Sequence, residues 1–195
     1  MLHSLLACNA PDDTAGATGL DTGDPVDSRD WGGWPALSRQ PAYESEEDGY
    51  ATGAGFADFD GDGDQDLLIA YGNDIQRGPL ALYLNEGGGL SESAAWLSQD
   101  KHYYGHLALG DLDGDGDTDV AVSRFLGDEG FSEPGGVQVW LNQEGSLSLA
   151  WEAEGFYSFS CALGDLDGDG DLDLAAAVGE AYHNDPGGNR VWIND

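Results

Sequence analysis

Basic residues are scarce in this chain. Its 195 residues include only 6 lysines and arginines against 38 aspartates and glutamates, which gives a formal net charge of -32. Such a charge repels the phosphates of nucleic acids and the headgroups of anionic lipids. The composition therefore argues against nucleic acid or a membrane surface as a direct partner, and we expect bound cations to balance the acidic groups.

Cysteine is scarcer still, with Cys8 and Cys161 as the two copies. Two cysteines in such different surroundings do not imply a disulfide framework of the kind that stabilises small secreted domains. Cys161 lies in the apolar run FSCALGD, where we expect a buried free thiol.

Cys8 ends the stretch Leu5-Leu6-Ala7-Cys8, which resembles the lipobox of bacterial lipoproteins, where the cysteine carries lipid. The apolar stretch before it is shorter than the roughly 7–15 residues of a signal peptide, and no basic residue precedes it. We interpret residues 1–8 as a truncated signal peptide with a lipobox-like end. A lipid anchor at Cys8 would then be the only link of this protein to a membrane.

Long hydrophobic runs are also missing, and no segment is long enough to span a bilayer. Residues 9–30 are small, polar and acidic, which predicts a flexible linker. The apolar share of 40 % is sufficient for a packed core, and we assign that core to residues 31–195.

What the sequence does contain is a repeat. Three near-identical stretches begin 53 and 54 residues apart: DFDGDGDQD at 58–66, DLDGDGDTD at 111–119 and DLDGDGDLD at 165–173, called here loops 1, 2 and 3. They hold 15 of the 38 acidic residues. The likeness extends beyond the loops, because a tyrosine stands eight residues before each one and an apolar run ending in asparagine follows later. These matched residues are Tyr50, Tyr103 and Tyr157, and Asn85, Asn142 and Asn194.

Each repeat contains four short apolar or aromatic runs separated by Asp, Gly and Asn, with no helical periodicity between them. This pattern predicts an all-β fold of repeated four-stranded antiparallel sheets, the blades of a β-propeller. Three repeats are fewer than the roughly 4–8 blades of a closed ring. We therefore expect a partial propeller and a fragment of a longer protein.

The loops have the composition of calcium sites. Calcium takes 6–8 oxygen ligands, and alternating carboxylates on a tight loop can point several oxygens at one ion. We predict carboxylate ligands at positions one, three, five and nine, a carbonyl ligand at position seven, and a glycine at position six that permits the backbone reversal. One calcium ion per loop gives about three ions. The predicted calcium-binding residues are Asp58, Asp60, Asp62, Asp64, Asp66, Asp111, Asp113, Asp115, Asp117, Asp119, Asp165, Asp167, Asp169, Asp171 and Asp173.

An EF-hand is the main alternative for such spacing, but it requires a glutamate at position twelve and flanking helices. Position twelve is occupied here by Ile69, Val122 and Ala176, each in an apolar run. We therefore expect each loop to join two strands, with its ninth residue starting the second strand. Position two is apolar in every copy, and we expect that side chain to hold the loop against the core. Magnesium is less suited than calcium, because it demands a strict octahedron.

The motif D-x-D-x-D-G-x-x-D in this matched context resembles the FG-GAP / VCBS repeat family, whose blades form integrin α-subunit propellers and occur in many bacterial surface proteins. The resemblance covers about residues 43–195. It implies that the calcium loop is a hairpin between adjacent strands. It also implies a role in adhesion or ligand display at cell surfaces.

The repeat-matched tyrosines predict packing between blades. A competing interpretation is a ligand platform, extended by Tyr104, Phe156 and Phe159 for stacking on sugar rings. The chain contains no Ser/His/Asp, Cys/His or phosphate-cradling arrangement.

We interpret the protein as a non-catalytic, calcium-stabilised binding or adhesion module that is extracellular or on a bacterial surface, where it is expected to be an outer-membrane lipoprotein. Its expected partner is an extracellular protein or carbohydrate. Two alternatives stay open: a fragment of a calcium-propeller enzyme such as a polysaccharide lyase, or a stalk that projects another domain.

Overall fold

A computed structural model of the chain describes residue 38 and residues 40–143, 145–180 and 186–195. The chain divides into two units, Met1–Ala42 and Tyr43–Asp195. In the first unit the backbone amide of Gln40 donates a hydrogen bond to the hydroxyl of Ser38 at 3.2 Å. The segments predicted at residues 1–8 and 9–30, including Cys8, lie outside the described residues.

The described part of the second unit consists of eleven β-strands and contains no helix. The strands are β1 (Ala51–Ala57), β2 (Asp66–Gly72), β3 (Arg77–Tyr83), β4 (Trp96–Leu97), β5 (Tyr103–Gly110), β6 (Asp119–Gly127), β7 (Gly130–Gln143), β8 (Ser146–Glu154), β9 (Ser158–Gly164), β10 (Asp173–Val178) and β11 (Arg190–Trp192). Nothing in the described ranges is a helix long and apolar enough to cross a membrane.

These strands form three antiparallel sheets in chain order. Blade 1 is β1-β2-β3-β4, blade 2 is β5-β6-β7-β8, and blade 3 is β9-β10-β11. The fold is therefore all-β and is a partial propeller, as predicted, with two four-stranded blades and one three-stranded blade. The described residues do not close a ring.

The sequence repeat and the blade are offset by one strand. Six or seven residues before each repeat-matched tyrosine the sequence has an alanine followed by an aromatic residue, which is Tyr43, Trp96 or Trp151. The repeat therefore groups each aromatic residue with the loop that follows it, but Trp96 and Trp151 lie in the fourth strands of blades 1 and 2. For Trp151 the chain connectivity explains this, because β7 ends at Gln143 and β8 begins at Ser146, and strands joined so closely pair as a hairpin. Tyr43, the matched residue of the first repeat, lies outside the strands and packs edge to face on Tyr83.

The core lies between successive blades. The alternation of side chains along a strand sends Val120 and Val122 of β6 into a cluster with blade 1, which includes Leu68. The intervening Ala121 joins a second cluster with blade 3. Blade 2 is therefore covered on both faces. Small residues permit the close approach, since a Cβ at Gly55 would lie 2.6 Å from a methyl carbon of Leu109.

Two of the three repeat-matched tyrosines pack on the blade before their own. Tyr103 lies under the guanidinium of Arg77 in blade 1, at 5.3 Å from the ring centroid. Tyr157 packs against Phe125 of blade 2, with ring centroids 5.8 Å apart. Tyr50 is 59 % exposed, because no blade precedes it in the described part of the chain. The packing prediction is thus confirmed for two of the three tyrosines.

The competing interpretation of a ligand platform fails at two of the three residues that were expected to extend it. Tyr104 is fully buried in the cluster between blades 1 and 2, and this burial raises the pKa of its hydroxyl. Phe156 is 4 % exposed and lies beneath the guanidinium of Arg190 at 4.0 Å. Phe159 is 46 % exposed, but it stacks on Phe125 with ring centroids 3.6 Å apart. Both buried rings fill contacts between elements, which leaves no face for a sugar.

Cys161 is a buried free thiol, as predicted. Its Sγ lies 3.4 Å from the carbonyl oxygen of Ala121, in the cluster between blades 2 and 3. Burial raises the pKa of this thiol to about 12, so it stays protonated at physiological pH.

Candidate metal centres

Each acidic loop connects the first two strands of its blade. Loop 1 closes the hairpin of β1 and β2, in which Ala57 pairs with Asp66. The equivalent pairs are Gly110 with Asp119 and Gly164 with Asp173. The ninth loop residue therefore begins the second strand in all three blades, as predicted. The flanks are strands, so the EF-hand alternative is excluded.

The backbone of loop 1 wraps around its first aspartate. The amide of Gly61 donates to Oδ1 of Asp58 at 2.8 Å, and the amide of Gly63 donates to Oδ2 at 2.9 Å. This path requires φ values of +77° at Gly61 and +95° at Gly63, which glycine adopts without steric cost. The amide of Asp64 completes the turn by donating to Oδ1 of Asp62 at 2.8 Å.

Loop 2 repeats both bonds to the first aspartate, and loop 3 repeats the one from the glycine at position four. Asp111 accepts from the amides of Gly114 and Gly116 at 2.8 and 3.0 Å, and Asp165 accepts from Gly168 at 2.6 Å. The glycine at position four, for which the sequence predicted no role, has a positive φ in all three loops, as does the glycine at position six. Its presence in all three copies was the available signal.

The structure gathers part of each predicted ligand set. Three carboxylates with oxygens within 4.8 Å of one another occur in every loop. They are Asp58, Asp60 and Asp62 in loop 1, Asp111, Asp113 and Asp115 in loop 2, and Asp165, Asp167 and Asp173 in loop 3. Asp169 of loop 3 lies in a further group with Asp167 and Asp195.

The residues predicted to supply carbonyl ligands are joined to position five of their loops by a backbone hydrogen bond. Asp64, Asp117 and Asp171 stand at position seven, and the amide of each donates to the carboxylate at position five, at 2.8, 2.8 and 3.0 Å. The first turn of each loop is therefore shaped by its own backbone amides before any ion is considered.

The ninth aspartate is buried and braces the loop. In loop 2, Oδ2 of Asp119 accepts from the amide of Leu112 and Oδ1 accepts from the amide of Asn142, both at 2.8 Å. Asp119 is fully buried, and burial raises the pKa of its carboxyl, with the charges of Asp113 and Asp115 adding to the effect.

The same two bonds recur at Asp66 and Asp173, with donor to acceptor distances of 2.7–2.9 Å. A carboxylate has about four acceptor positions. Two bonds from the backbone therefore leave capacity for a cation, and bracing and metal ligation are compatible roles for this aspartate.

The repeat-matched asparagines reach back to the preceding loop. Nδ2 of Asn142 donates to the carbonyl of Phe59 in loop 1 at 2.9 Å, and Nδ2 of Asn194 donates to the carbonyl of Leu112 in loop 2 at 2.7 Å. Asn85 of blade 1 instead donates to Gln65 of its own loop at 3.3 Å. The sequence revealed the repetition of these asparagines but not their role.

The apolar residue at position two is not equivalent in the three loops. Phe59 is 1 % exposed and belongs to the cluster between blades 1 and 2, which confirms that it holds its loop against the core. Leu112 is half-buried. Leu166 is 67 % exposed, so the prediction is wrong for loop 3. The following blade supplies the contact, and no blade follows blade 3 in the described residues.

The chemistry of the donor sets fits calcium. All groups gathered in the loops are carboxylates, and histidine and cysteine contribute to none of the groups formed by the described residues. Oxygen-only donors suit a hard cation, whereas zinc sites commonly include nitrogen or sulfur. Because several carboxylates come from one short loop, each ligand set is local to its blade.

Comparison with known protein families identified two matches. The model of the FG-GAP-like repeat matches residues 58–122, which include loops 1 and 2. The model of the FG-GAP repeat matches residues 159–193, which include loop 3. No curated protein matched the chain.

Proposed function

Since the chain belongs to the FG-GAP repeat family, we propose that it is a non-catalytic module that binds three calcium ions and presents its blades to an extracellular ligand. The observation that carries this proposal is the threefold recurrence of one loop geometry, with three carboxylates brought together in each copy. In loops 1 and 2 these are positions one, three and five.

Bound calcium would supply two positive charges to a loop that carries five carboxylates. Two unit charges about 4 Å apart repel by about 1 kcal/mol even in water. The amides that donate to Asp58 and Asp111 offset part of this repulsion. The remaining repulsion favours opening of the loop. Because each loop joins two paired strands, its opening loosens the blade, and we expect calcium binding to be coupled to folding.

Calcium titration calorimetry tests the sites directly. We expect three ions per chain, with affinities of order 10⁻⁴–10⁻³ M or tighter. Asp113→Ala should reduce the stoichiometry to two, because its loop supplies its protein ligands locally. Asp100→Ala is the matched control, since this exposed aspartate lies outside the loops and should leave three sites. A stoichiometry of zero or one would contradict the proposal.

Thermal unfolding tests the structural role. At a hundredfold excess over the dissociation constant, one site adds about 2.7 kcal/mol to the free energy of unfolding. For a chain of this length that raises the midpoint by about 5–11 °C per site. Equal midpoints in chelator and at a calcium concentration a hundredfold above the measured dissociation constant would show that calcium has no structural role.

The proposed setting is the extracellular space or a bacterial surface, with an outer-membrane lipid anchor at Cys8 and a protein or carbohydrate as the ligand. The acidic composition and the family support this setting. Protein and glycan arrays probed with and without calcium should give a calcium-dependent ligand. Absence of any ligand on both arrays would favour a stalk. Incorporation of labelled lipid that is lost in Cys8→Ala would test the anchor.

A further inference from the structure

A continuous path of hydrogen bonds runs through the three acidic loops. It begins at Asp66, whose Oδ2 accepts from the amide of Phe59 at 2.8 Å. The carbonyl of Phe59 accepts from Nδ2 of Asn142 at 2.9 Å. The backbone amide of Asn142 in turn donates to Oδ1 of Asp119 in loop 2 at 2.8 Å. Loop 1 is thus connected to loop 2 through one asparagine.

The path continues in the same way to loop 3. Oδ2 of Asp119 accepts from the amide of Leu112, and the carbonyl of Leu112 accepts from Nδ2 of Asn194 at 2.7 Å. The backbone amide of Asn194 donates to Oδ1 of Asp173 at 2.9 Å. Each asparagine therefore bonds its own loop through its backbone and the preceding loop through its side chain.

Burial makes these hydrogen bonds costly to break. Asn142 and Asp119 are fully buried, and Asp173 is 2 % exposed. A buried carbonyl that loses its donor cannot bond water instead, so the cost of breaking this contact is greater than at the surface. The side-chain carbonyl of Asn142 also accepts from the amide of Gly145 at 3.0 Å, which fixes the orientation of its amide group.

We propose that Asn142 and Asn194 are positioning residues that couple neighbouring calcium loops, so that calcium held by one loop raises the affinity of the loop before it. This inference rests on the proposed calcium function. An ordered loop holds its ninth aspartate in place, the aspartate holds the backbone of the asparagine, and the asparagine then presents its amide to the second residue of the preceding loop.

The size of the coupling follows from one neutral hydrogen bond. Such a bond contributes about 0.5–1.5 kcal/mol net, which corresponds to about a two- to twelvefold change in an equilibrium constant. We expect calcium at loop 2 to raise the affinity of loop 1 by about three- to tenfold, and calcium at loop 3 to act likewise on loop 2. Linkage requires the effect to be reciprocal within each pair.

The experiment isolates one pair of loops at a time. In a chain with loop 3 disabled by Asp167→Ala, calorimetry gives the overall constant for filling loops 1 and 2. Adding Asp113→Ala leaves loop 1 alone, and adding Asp60→Ala leaves loop 2 alone. The overall constant divided by the product of the two single-loop constants is the coupling factor. We expect three to ten, falling to about one when Asn142→Ala is introduced.

Asn85→Ala is the matched control, because Asn85 occupies the same repeat position but bonds its own loop. It should leave the coupling factor unchanged. Asn194→Ala gives an independent test on loops 2 and 3 with loop 1 disabled by Asp60→Ala. Asn194 is half-buried, so folding should be less sensitive to its replacement. Loops 2 and 3 therefore decide the outcome if Asn142→Ala does not fold.

Two results would overturn the inference while leaving calcium binding intact. One is a coupling factor of one in the chain with both asparagines, and the other is a factor that survives their replacement. A chain that binds no calcium would instead refute the proposed function. The thermal midpoint measured at a series of calcium concentrations gives a second readout. If the loops are uncoupled, disabling one loop should leave unchanged the calcium dependence that the other loops contribute.

Discussion

Replacing Phe59 with alanine measures how strongly an acidic loop is held by the blade that follows it. Phe59 stands at position two of loop 1, is 1 % exposed, and packs with Trp140 and Leu147 of blade 2. Leu166 stands at the same position of loop 3 and is 67 % exposed. Phe59→Ala and Leu166→Ala therefore change the same loop position, once where the side chain is buried and once where it is exposed.

The expected costs differ by several kcal/mol. Truncation of a fully buried phenylalanine to alanine costs about 3–5 kcal/mol, from lost burial and from the cavity that it leaves. For a chain of this length the loss lowers the thermal midpoint by about 6–20 °C. Leu166→Ala removes a mostly solvated side chain and should change the free energy of unfolding by about 0.5 kcal/mol or less. Leu112→Ala, at the half-buried position, should lie between them.

Equilibrium unfolding in urea, at one fixed calcium concentration for all three variants, gives the three free energies. The slope of each transition should match that of the unmodified chain, which shows that the same surface is exposed. Equal costs for Phe59→Ala and Leu166→Ala would refute the reasoning, because they would show that the following blade contributes nothing to the hold on a loop.

Other positions give further tests. Gly63→Ala should lower the free energy of unfolding by about 1–2 kcal/mol, because its φ of +95° disfavours a Cβ even though the added atom would have open space around it. Gly88→Ala is the control, since a Cβ there also has open space and the φ of Gly88 is not in the left-handed region. Burial raises the Cys161 pKa to about 12 from an unfolded value near 9, so its stabilisation is complete below pH 9 and is lost as pH rises towards 12. Between pH 9 and 11 the free energy of unfolding should therefore fall more steeply in the unmodified chain than in Cys161→Ala, with slopes that differ by about 1.4 kcal/mol per pH unit. Equal slopes for the two chains would contradict this. Replacing Glu152 and Glu154 together by glutamine should lower the free energy of unfolding more than Arg124→Met does. The first change leaves the buried guanidinium of Arg124 without a charged partner, whereas the second leaves unpaired carboxylates that are half-exposed. The reverse order in urea unfolding would contradict this explanation.

Much of the fold could be predicted from local pattern. The threefold recurrence of Asp and Gly at fixed spacing predicted three loops, and the apolar runs after them predicted that Asp66, Asp119 and Asp173 begin strands. Alternation along a strand and turn-forming residues between strands are short-range properties. They act within a few residues and are visible in the sequence.

Assignment of strands to blades could not be predicted in this way. Trp96 belongs to blade 1 and Trp151 to blade 2, although the repeat places each with the residues that follow it. Alternation shows that a strand has two faces, but it does not show which neighbour covers each face. For that reason Tyr104 and Phe156 could not be recognised as buried, nor Leu166 as exposed.

The loops, with their glycines and carboxylates, follow from the sequence alone, because five aspartates and two glycines in nine residues specify a local turn. How the loops relate to one another depends on the packing of the blades. The bonds from Asn142 to Phe59 and from Asn194 to Leu112 join residues 83 and 82 positions apart. Such contacts form because successive blades stack, and stacking is a property of whole sheets that no short segment of the chain encodes.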